Sequence, residues 1–123
     1  GSGIPAFYTP TANGTPLAEG KECRSFNNRD YVLEYGLTAD FALIKGLSAD
    51  QHGNVVYNKT ARNFAPIMAM AGKITIVQAQ HVVDLGELNP ETIITPGIFV
   101  QRVVEILEPA IESILVAAGE TYP

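Results

Sequence analysis

The sequence predicts an α/β fold, and three observations carry that expectation. Asp40-Phe41-Ala42-Leu43-Ile44-Lys45-Gly46 is a short, nearly continuous apolar run, as in strands covered on both faces. Lys73-Ile74-Thr75-Ile76-Val77-Gln78 alternates and is β-branched, the clearest strand in the chain. A strand-like piece and a helical stripe lie between them, giving a β–turn–β–α–β order over about residues 40–78.

The elements follow in chain order. Residues 1–29 are interrupted by Pro5, Pro10, Gly14, Pro16 and Gly20, so only residues 4–8 can be extended. Cys23 falls in a polar loop between Glu22 and Arg24. Asn27-Asn28-Arg29-Asp30 reads as a turn and Tyr31-Val32-Leu33-Glu34 as a strand. After the run at 40–46, Ser48 to Gly53 is polar. Asp50-Gln51-His52-Gly53 suggests a hairpin-like reversal into Asn54-Val55-Val56-Tyr57. Thr60 is placed to cap a helix over about 61–71. Ala61, Phe64, Ile67, Met68 and Ala71 give that helix one apolar stripe. Pro66 fits only in a first turn or at a kink, and Gly72 stops the helix. Residues 87–96 form a loop with two prolines, and residues 98–104 are apolar, a strand or the start of a helix. Residues 109–119 read as a helix, with Pro109 near its first position and Gly119 just past its end.

Composition narrows the function classes. A chain of 123 residues is one domain's worth, and 46% hydrophobic residues make it globular. The formal charge of -5 argues against nucleic acid as a partner. The single cysteine, Cys23, excludes an internal disulfide and a Cys-rich zinc site. No apolar run approaches the roughly 18 residues of a membrane span. Gly1-Ser2-Gly3 has no signal-peptide character. A soluble, cytoplasmic protein without a membrane partner is expected. Gly-Ser without an initiator Met matches a cloning scar, so a piece of a longer protein is also expected.

Short motifs are weak here. Gly1-Ser2-Gly3-Ile4-Pro5-Ala6 fits a dinucleotide fingerprint in letters only, since no strand precedes it and no helix opens at it. His81 and Asp84 are three apart, but on a strand end, and two distant histidines make no metal site. Asn13-Gly14-Thr15 and Asn58-Lys59-Thr60 are chance sequons in a chain without a secretory signal. Cys23 has no helix start beside it to make it a nucleophile. Arg62 and Asn63 are more informative. At a helix start after a strand, Arg62 could take a carboxylate or phosphate bidentately. The blander alternative, which residue physics alone favours, pairs Arg62 with a local acid and puts Phe64 in the core.

A larger pattern exists. Gly3-Ile4-Pro5-Ala6-Phe7-Tyr8-Thr9-Pro10, Gly14-Thr15 and Ala18-Glu19-Gly20-Lys21-Glu22 are followed by Tyr31-Val32-Leu33-Glu34 and Ala39-Asp40-Phe41-Ala42-Leu43-Ile44-Lys45. Then come Ala49-Asp50, Gly53-Asn54, Lys59-Thr60-Ala61-Arg62-Asn63-Phe64, Gly86-Glu87-Leu88 and Thr95-Pro96-Gly97-Ile98-Phe99-Val100. In order and spacing, residues 1–106 resemble the 3-oxoacid CoA-transferase family, in the carboxy-terminal part of its A-type subunit. The resemblance implies a three-layer α/β fold, a parallel or mixed sheet with helices on both faces, incomplete here at its amino-terminal side. It implies transfer of coenzyme A between a short acyl-CoA and a 3-oxoacid or short-chain carboxylate, through a glutamyl-CoA thioester. The coenzyme A thioester is substrate, and no bound cofactor or metal is implied.

The departures are specific. The family's glycine-rich amino-terminal signature is expected before Gly1. Its catalytic glutamate, in a Ser-Glu-Asn-Gly context, belongs to the B-type subunit, and none of the nine glutamates here has that context. No catalytic residue is therefore expected in this chain, and the isolated chain is expected to be inactive. The implied partners are the B-type subunit of the transferase and the amino-terminal part of the A-type one, in a homo- or hetero-oligomer. Gly3, Phe7, Tyr8, Arg62 and Asn63 are the candidates for a substrate- or CoA-side wall. Core packing or intersubunit contact is the competing role for Phe7 and Tyr8. Residues 107–123 do not resemble the family's continuation and form a separate helical tail, with Ile111, Ile114, Leu115 and Ala118 as its stripe. The alternative function is a non-catalytic α/β fragment or engineered module that self-associates.

Overall fold

The computed structural model describes residues 2–109 and 117–119. The helix expected over 109–119 lies outside the described residues except at its ends. The chain divides into two compact units, Gly1–Thr38 and Ala39–Pro123.

The first unit is a three-stranded antiparallel sheet of β1 (Ala6–Thr9), β2 (Cys23–Phe26) and β3 (Arg29–Tyr35), in the order β1-β3-β2. Asn27 and Asn28 have φ of 50° and 60°, and join β2 to β3 as a two-residue hairpin. Asparagine tolerates this left-handed conformation because its short side chain bonds locally. The turn is therefore tighter than the expected 27–30, and Arg29 and Asp30 already pair with Phe26 and Ser25. Cys23 is correspondingly in a strand rather than a loop, opposite Val32. Val32 is the fully buried centre of this sheet.

The second unit is a mixed sheet with a helix, in the strand order β5-β4-β6-β7. β4 (Ala39–Asp50) and β6 (Gly72–Val83) are parallel, and β7 (Arg102–Glu105) is parallel to β6. β5 (Val55–Val56) is antiparallel to β4 across the reversal expected at 50–53. The α/β expectation holds in this unit, with a strand–helix–strand crossover carrying the chain from β4 to the parallel β6.

The helix differs from expectation. α1 runs Ala65–Ala71, with Pro66 in its first turn. Thr60 does not cap it, because Lys59–Arg62 is a separate 3-10 turn and Asn63, at φ 40°, breaks the path between them. Pro66 explains the late start. A helix begun at residue 61 would need the N–H that proline lacks. The expected apolar stripe is not the packed face. Phe64, Ile67 and Met68 are 66%, 60% and 47% exposed, while Ala69 is buried and Ala65 packs on the core. Small residues let α1 approach the sheet closely. Thr75 Oγ1 donates to the Ala69 carbonyl at 2.9 Å, and a Cβ on Gly72 would lie 2.8 Å from that of Ala42. Gly72 thus ends the helix by opening β6 under close packing, not by a left-handed turn.

The core gathers Ile44, Ala49, Val55, Tyr57, Ala69, Val77 and Ala79, closed by Phe99, Val100 and Val103. Among the described residues no helix is long and apolar enough to cross a membrane.

Candidate functional site

Gly3, Phe7 and Tyr8 belong to the first unit. Gly3 is at φ 75°, which glycine adopts without strain. Phe7 and Tyr8 are neighbours on β1 and so point to opposite faces of the sheet. Phe7 is 53% exposed, so it is not a core residue of this chain. Tyr8 is held by a polar–aromatic cluster. Its hydroxyl donates to the Glu22 carboxylate, which also takes Arg24 at 3.2 Å. The Arg24 guanidinium lies 5.3 Å from the Tyr8 ring centre, and Phe26 meets the same ring edge-on at 5.3 Å. The hydrogen bond to Glu22, ahead of slight burial, pushes the Tyr8 phenol above its ordinary value. Tyr8 is therefore a neutral donor at physiological pH, not a base.

Arg62 and Asn63 belong to the second unit, and both are exposed. They lie in and just after the 3-10 turn, before α1, so the helix-start setting expected for them is absent. The bland alternative is also absent. Arg62 makes no ion pair with an acid among the described residues, and Phe64 is exposed rather than core. The guanidinium is left available to an anion.

A cavity of about 240 Å³ opens in the second unit beside Lys45, Tyr57, Asn58, Gln78 and Gln80. Lys45 and Gln78 are register partners on one sheet face. Its polar lining is thus one cation, three carboxamides and a phenol. Burial pushes the Tyr57 phenol up, against a hydrogen bond with Thr95 Oγ1 at 2.6 Å, so Tyr57 too stays neutral. This cavity was not legible from spacing, because its members come from β4, β6 and the segment after β5.

Among the described residues the buried carboxylate is Asp50, and it is occupied. It accepts from the backbone N–H groups of His52 and Asn54 at 2.9 and 3.0 Å, and from Asn54 Nδ2 at 2.7 Å. Asn54 Oδ1 in turn accepts from Gly97 N at 2.9 Å. A Cβ on Gly97 would collide with the His52 carbonyl. Burial pushes Asp50 up, but the donations from Asn54 and His52 outweigh it and hold the carboxyl below its ordinary value. The network fastens the β4–β5 reversal to the loop before β7. Among the described glutamates, Glu34 is half-buried and paired with Lys21 at 2.7 Å, and the rest are exposed.

Comparison with known proteins bears on what this framework is. The sequence pattern of the coenzyme A transferase family matches residues 1–106. The chain belongs to the coenzyme A transferase family. It is 62% identical over 114 residues to the A-type subunit of the Pseudomonas putida 3-oxoadipate CoA-transferase, covering 93% of this chain and 49% of that protein. It is 59% identical over 104 residues to the A-type subunit of a probable succinyl-CoA:3-ketoacid coenzyme A transferase of Bacillus subtilis, covering 85% and 44%. This coenzyme A transferase chain thus spans about half the length of the curated relatives it matches. Among solved structures, an acyl-CoA transferase of Escherichia coli O157:H7, in a thioester complex with CoA, superposes with a TM-score of 0.74 at 22% identity. That alignment covers 86% of this chain and 26% of the other. Glutaconate coenzyme A-transferase of Acidaminococcus fermentans gives 0.70 at 20% identity, covering 84% and 39%. At these identities the two structures speak for the fold.

Proposed function

We propose that this chain is part of the A-type subunit of a CoA-transferase that moves coenzyme A between a short acyl-CoA and a 3-oxoacid or short-chain carboxylate in the cytoplasm. The carrying observation is the 62% identity over 114 residues to the corresponding polypeptide of a 3-oxoadipate CoA-transferase. The glutamate nucleophile sits on the partner, the B-type subunit. Such a carboxylate attacks a thioester only when partly desolvated, aligned with the carbonyl and faced by oxyanion donors. The glutamates described here are solvated or ion-paired, which supports a non-nucleophilic role for this chain. Residues 1–106 carry the transferase part, and residues 107–123 are a separate tail.

Within that reading each of the two units offers its own candidates for a wall on the substrate or CoA side. Arg62 holds a carboxylate or phosphate through its paired N–H groups, and Asn63 adds an amide. Tyr8 offers a neutral hydroxyl, Phe7 an apolar surface, and Gly3 the turn that delivers both. No metal takes part, and the coenzyme A thioester enters as substrate.

The test combines this chain with two pieces of the Pseudomonas putida enzyme, its B-type subunit plus the remaining half of its A-type one. Succinyl-CoA loss is followed with 3-oxoadipate as acceptor. The chain alone is expected to transfer nothing and the assembly to transfer. Arg62→Ala in the assembly is expected to lose about tenfold or more in kcat/KM, as when an anion clamp is removed. A folded assembly that transfers no coenzyme A would overturn the reading.

A further inference from the structure

We propose that Asn13-Gly14 is a covalent modification site, at which the chain converts its own asparagine through a cyclic imide into aspartate and isoaspartate. The reactants are the Asn13 carboxamide, the backbone nitrogen of Gly14 and water.

The sequence isolates the position. Of the seven asparagines, Asn13 alone precedes a glycine. The nucleophile in this reaction is the backbone nitrogen of the following residue, and a Cβ there crowds its approach. Every other asparagine is followed by a residue with a side chain. Asn89 is followed by Pro90, which has no N–H to give up. The letters that spell a sequon at residues 13–15 thus carry a different chemistry, one that needs no second protein.

The local fold leaves both reacting groups free. Thr15 N donates to the Ala12 carbonyl at 3.1 Å, with Asn13 and Gly14 between them and Gly14 at φ 74°. That bond, with positive φ at the third residue, marks a type II turn. The Gly14 N–H is not the bond that closes it. Among the described residues neither this N–H nor the Asn13 carboxamide has a hydrogen-bond partner. Both residues are exposed, and a Cβ on Gly14 would meet nothing within 4 Å. The tip is fixed only at its ends. Ala12 is buried, and Thr15 Oγ1 donates to the Ala12 carbonyl at 2.8 Å and accepts from Leu17 N at 3.3 Å.

Asn54 shows the protected case. Its Nδ2 donates to Asp50 at 2.7 Å and its Oδ1 accepts from Gly97 N at 2.9 Å. The nitrogen that would attack it, Val55 N, already donates to the Thr95 carbonyl at 2.9 Å.

The reaction balances with water alone. Hydroxide takes the Gly14 amide proton, and the nitrogen attacks Asn13 Cγ. The new N–Cγ bond replaces Cγ–Nδ2, and Nδ2 leaves as ammonia after taking a proton from water. A second water opens the ring. Attack at Cγ restores the main chain and leaves aspartate. Attack at the Asn13 main-chain carbonyl carbon routes the chain through Cγ and leaves isoaspartate. Either product adds one negative charge at the tip to a chain already at -5. Isoaspartate also lengthens the main chain by one carbon inside the Ala12–Thr15 turn, so the Thr15 N–H loses its closing bond.

The test ages the chain at body temperature and follows the tryptic peptide ending at Lys21, in which Asn13 is the only carboxamide side chain. The peptide is expected to gain the mass change of NH replaced by O, with isoaspartate in excess of aspartate. Enzymatic methylation of the isoaspartyl carboxylate with a labelled methyl donor reads the first product. The rate is expected to rise about tenfold per pH unit, as the amide anion does. In the folded chain it is expected to lie within about tenfold of the rate in urea, while Asn54 is unchanged. Asn13→Gln is expected to abolish the product, because its imide ring is one atom larger and closes far more slowly. In the purified isoaspartyl form, Thr15 amide exchange is expected to be about tenfold faster. A folded chain that reacts more than about a hundredfold more slowly than the chain in urea would overturn the site. So would aspartate without isoaspartate, which bypasses the imide, or product that persists in Asn13→Gln. Unchanged Thr15 exchange would overturn the coupling to the turn. Should Asn13→Gln not fold, the comparison of folded and urea-treated parent chain decides by itself.

Discussion

The two faces of the four-stranded sheet invert the usual relation between side-chain size and burial. On the face under α1 stand Ala42, Ile44, Thr75, Val77 and Ala79, all buried. On the other stand Phe41 and Leu43, mostly exposed, with Ile74 and Ile76 half-buried. The bulk is on the less covered side. The buried side is small because α1 lies close, through Ala65, Ala69 and the Gly72–Ala42 approach. Hydrophobic size therefore does not rank burial here; the distance to the covering element does. The sharpest way to break the comparison is one charge on each face. Val77→Asp puts an unpaired carboxylate in the core and is expected to abolish cooperative unfolding, a loss of about 4 kcal/mol or more. Leu43→Asp is expected to move the chain's stability by less than about 0.5 kcal/mol in the same denaturant titration. Equal losses at the two positions would mean that the second face is covered as well.

The closeness of α1 can be tested without charge. Gly72→Val adds atoms where even a Cβ lies 2.8 Å from the Ala42 Cβ and 2.9 Å from its backbone nitrogen. The neighbour is backbone and cannot turn aside, so a loss of about 3 kcal/mol is expected in thermal or urea unfolding. Gly86→Ala is the wrong control, since the glycine sits at φ 92° and an alanine there is strained whatever the space around it. Gly36→Ala meets the Ile4 carbonyl at 3.3 Å and is expected to cost less. If Gly72→Val were neutral, the small residues of the buried face would have no packing reason.

How much of this was legible beforehand depended on whether the signal was local. Residues 40–46 and 73–78 announced strands because a strand's composition survives without its neighbours. Asn27-Asn28 announced a turn because both residues tolerate left-handed backbone. β2 was missed because Cys23-Arg24-Ser25-Phe26 is exposed at all four positions, so no alternation of burial is written into it. α1 lies elsewhere than the stripe through Phe64, Ile67 and Met68 suggests, because alanines rather than that stripe do the packing. Pro66 was the available clue to the true start. For the site, the residue types of Arg62 and Asn63 were readable, but not their 3-10 setting or the lack of an acid beside Arg62 among the described residues. The Asp50–Asn54–Gly97 network could not be read at all, since it joins residues 43 apart through hydrogen bonds that leave no periodic trace.

A buried hydrogen bond gives a finer test of the covered side. Tyr57 and Thr95 are 8% and 1% exposed and meet through their hydroxyls. Thr95→Val keeps the shape and leaves the Tyr57 hydroxyl unpaired, with an expected loss of about 1–2 kcal/mol. Adding Tyr57→Phe should recover part of it, because no polar group is then stranded. A double variant worse than the single one would assign the loss to packing instead.

The smallest effect is a pH dependence that shows only on acidification. The Asp50 carboxyl is held below its unfolded value of 3.8, so the charged form favours the folded chain. That stability is fully present above the unfolded value and is lost as pH falls from there through the lower, folded value. Other carboxylates titrate in the same range, so the measurement is a difference between the chain and Asp50→Asn. In urea unfolding, the stability gap between them is expected to be constant from pH 7 to about 5 and to narrow on further acidification. The Asn cannot accept all three donations, so a gap remains at neutral pH from lost hydrogen bonds alone. A gap that widened on acidification would reverse the sign of the linkage. Burial would then outweigh the donations from Asn54 and His52, and the reversal between β4 and β5 would not depend on the charge.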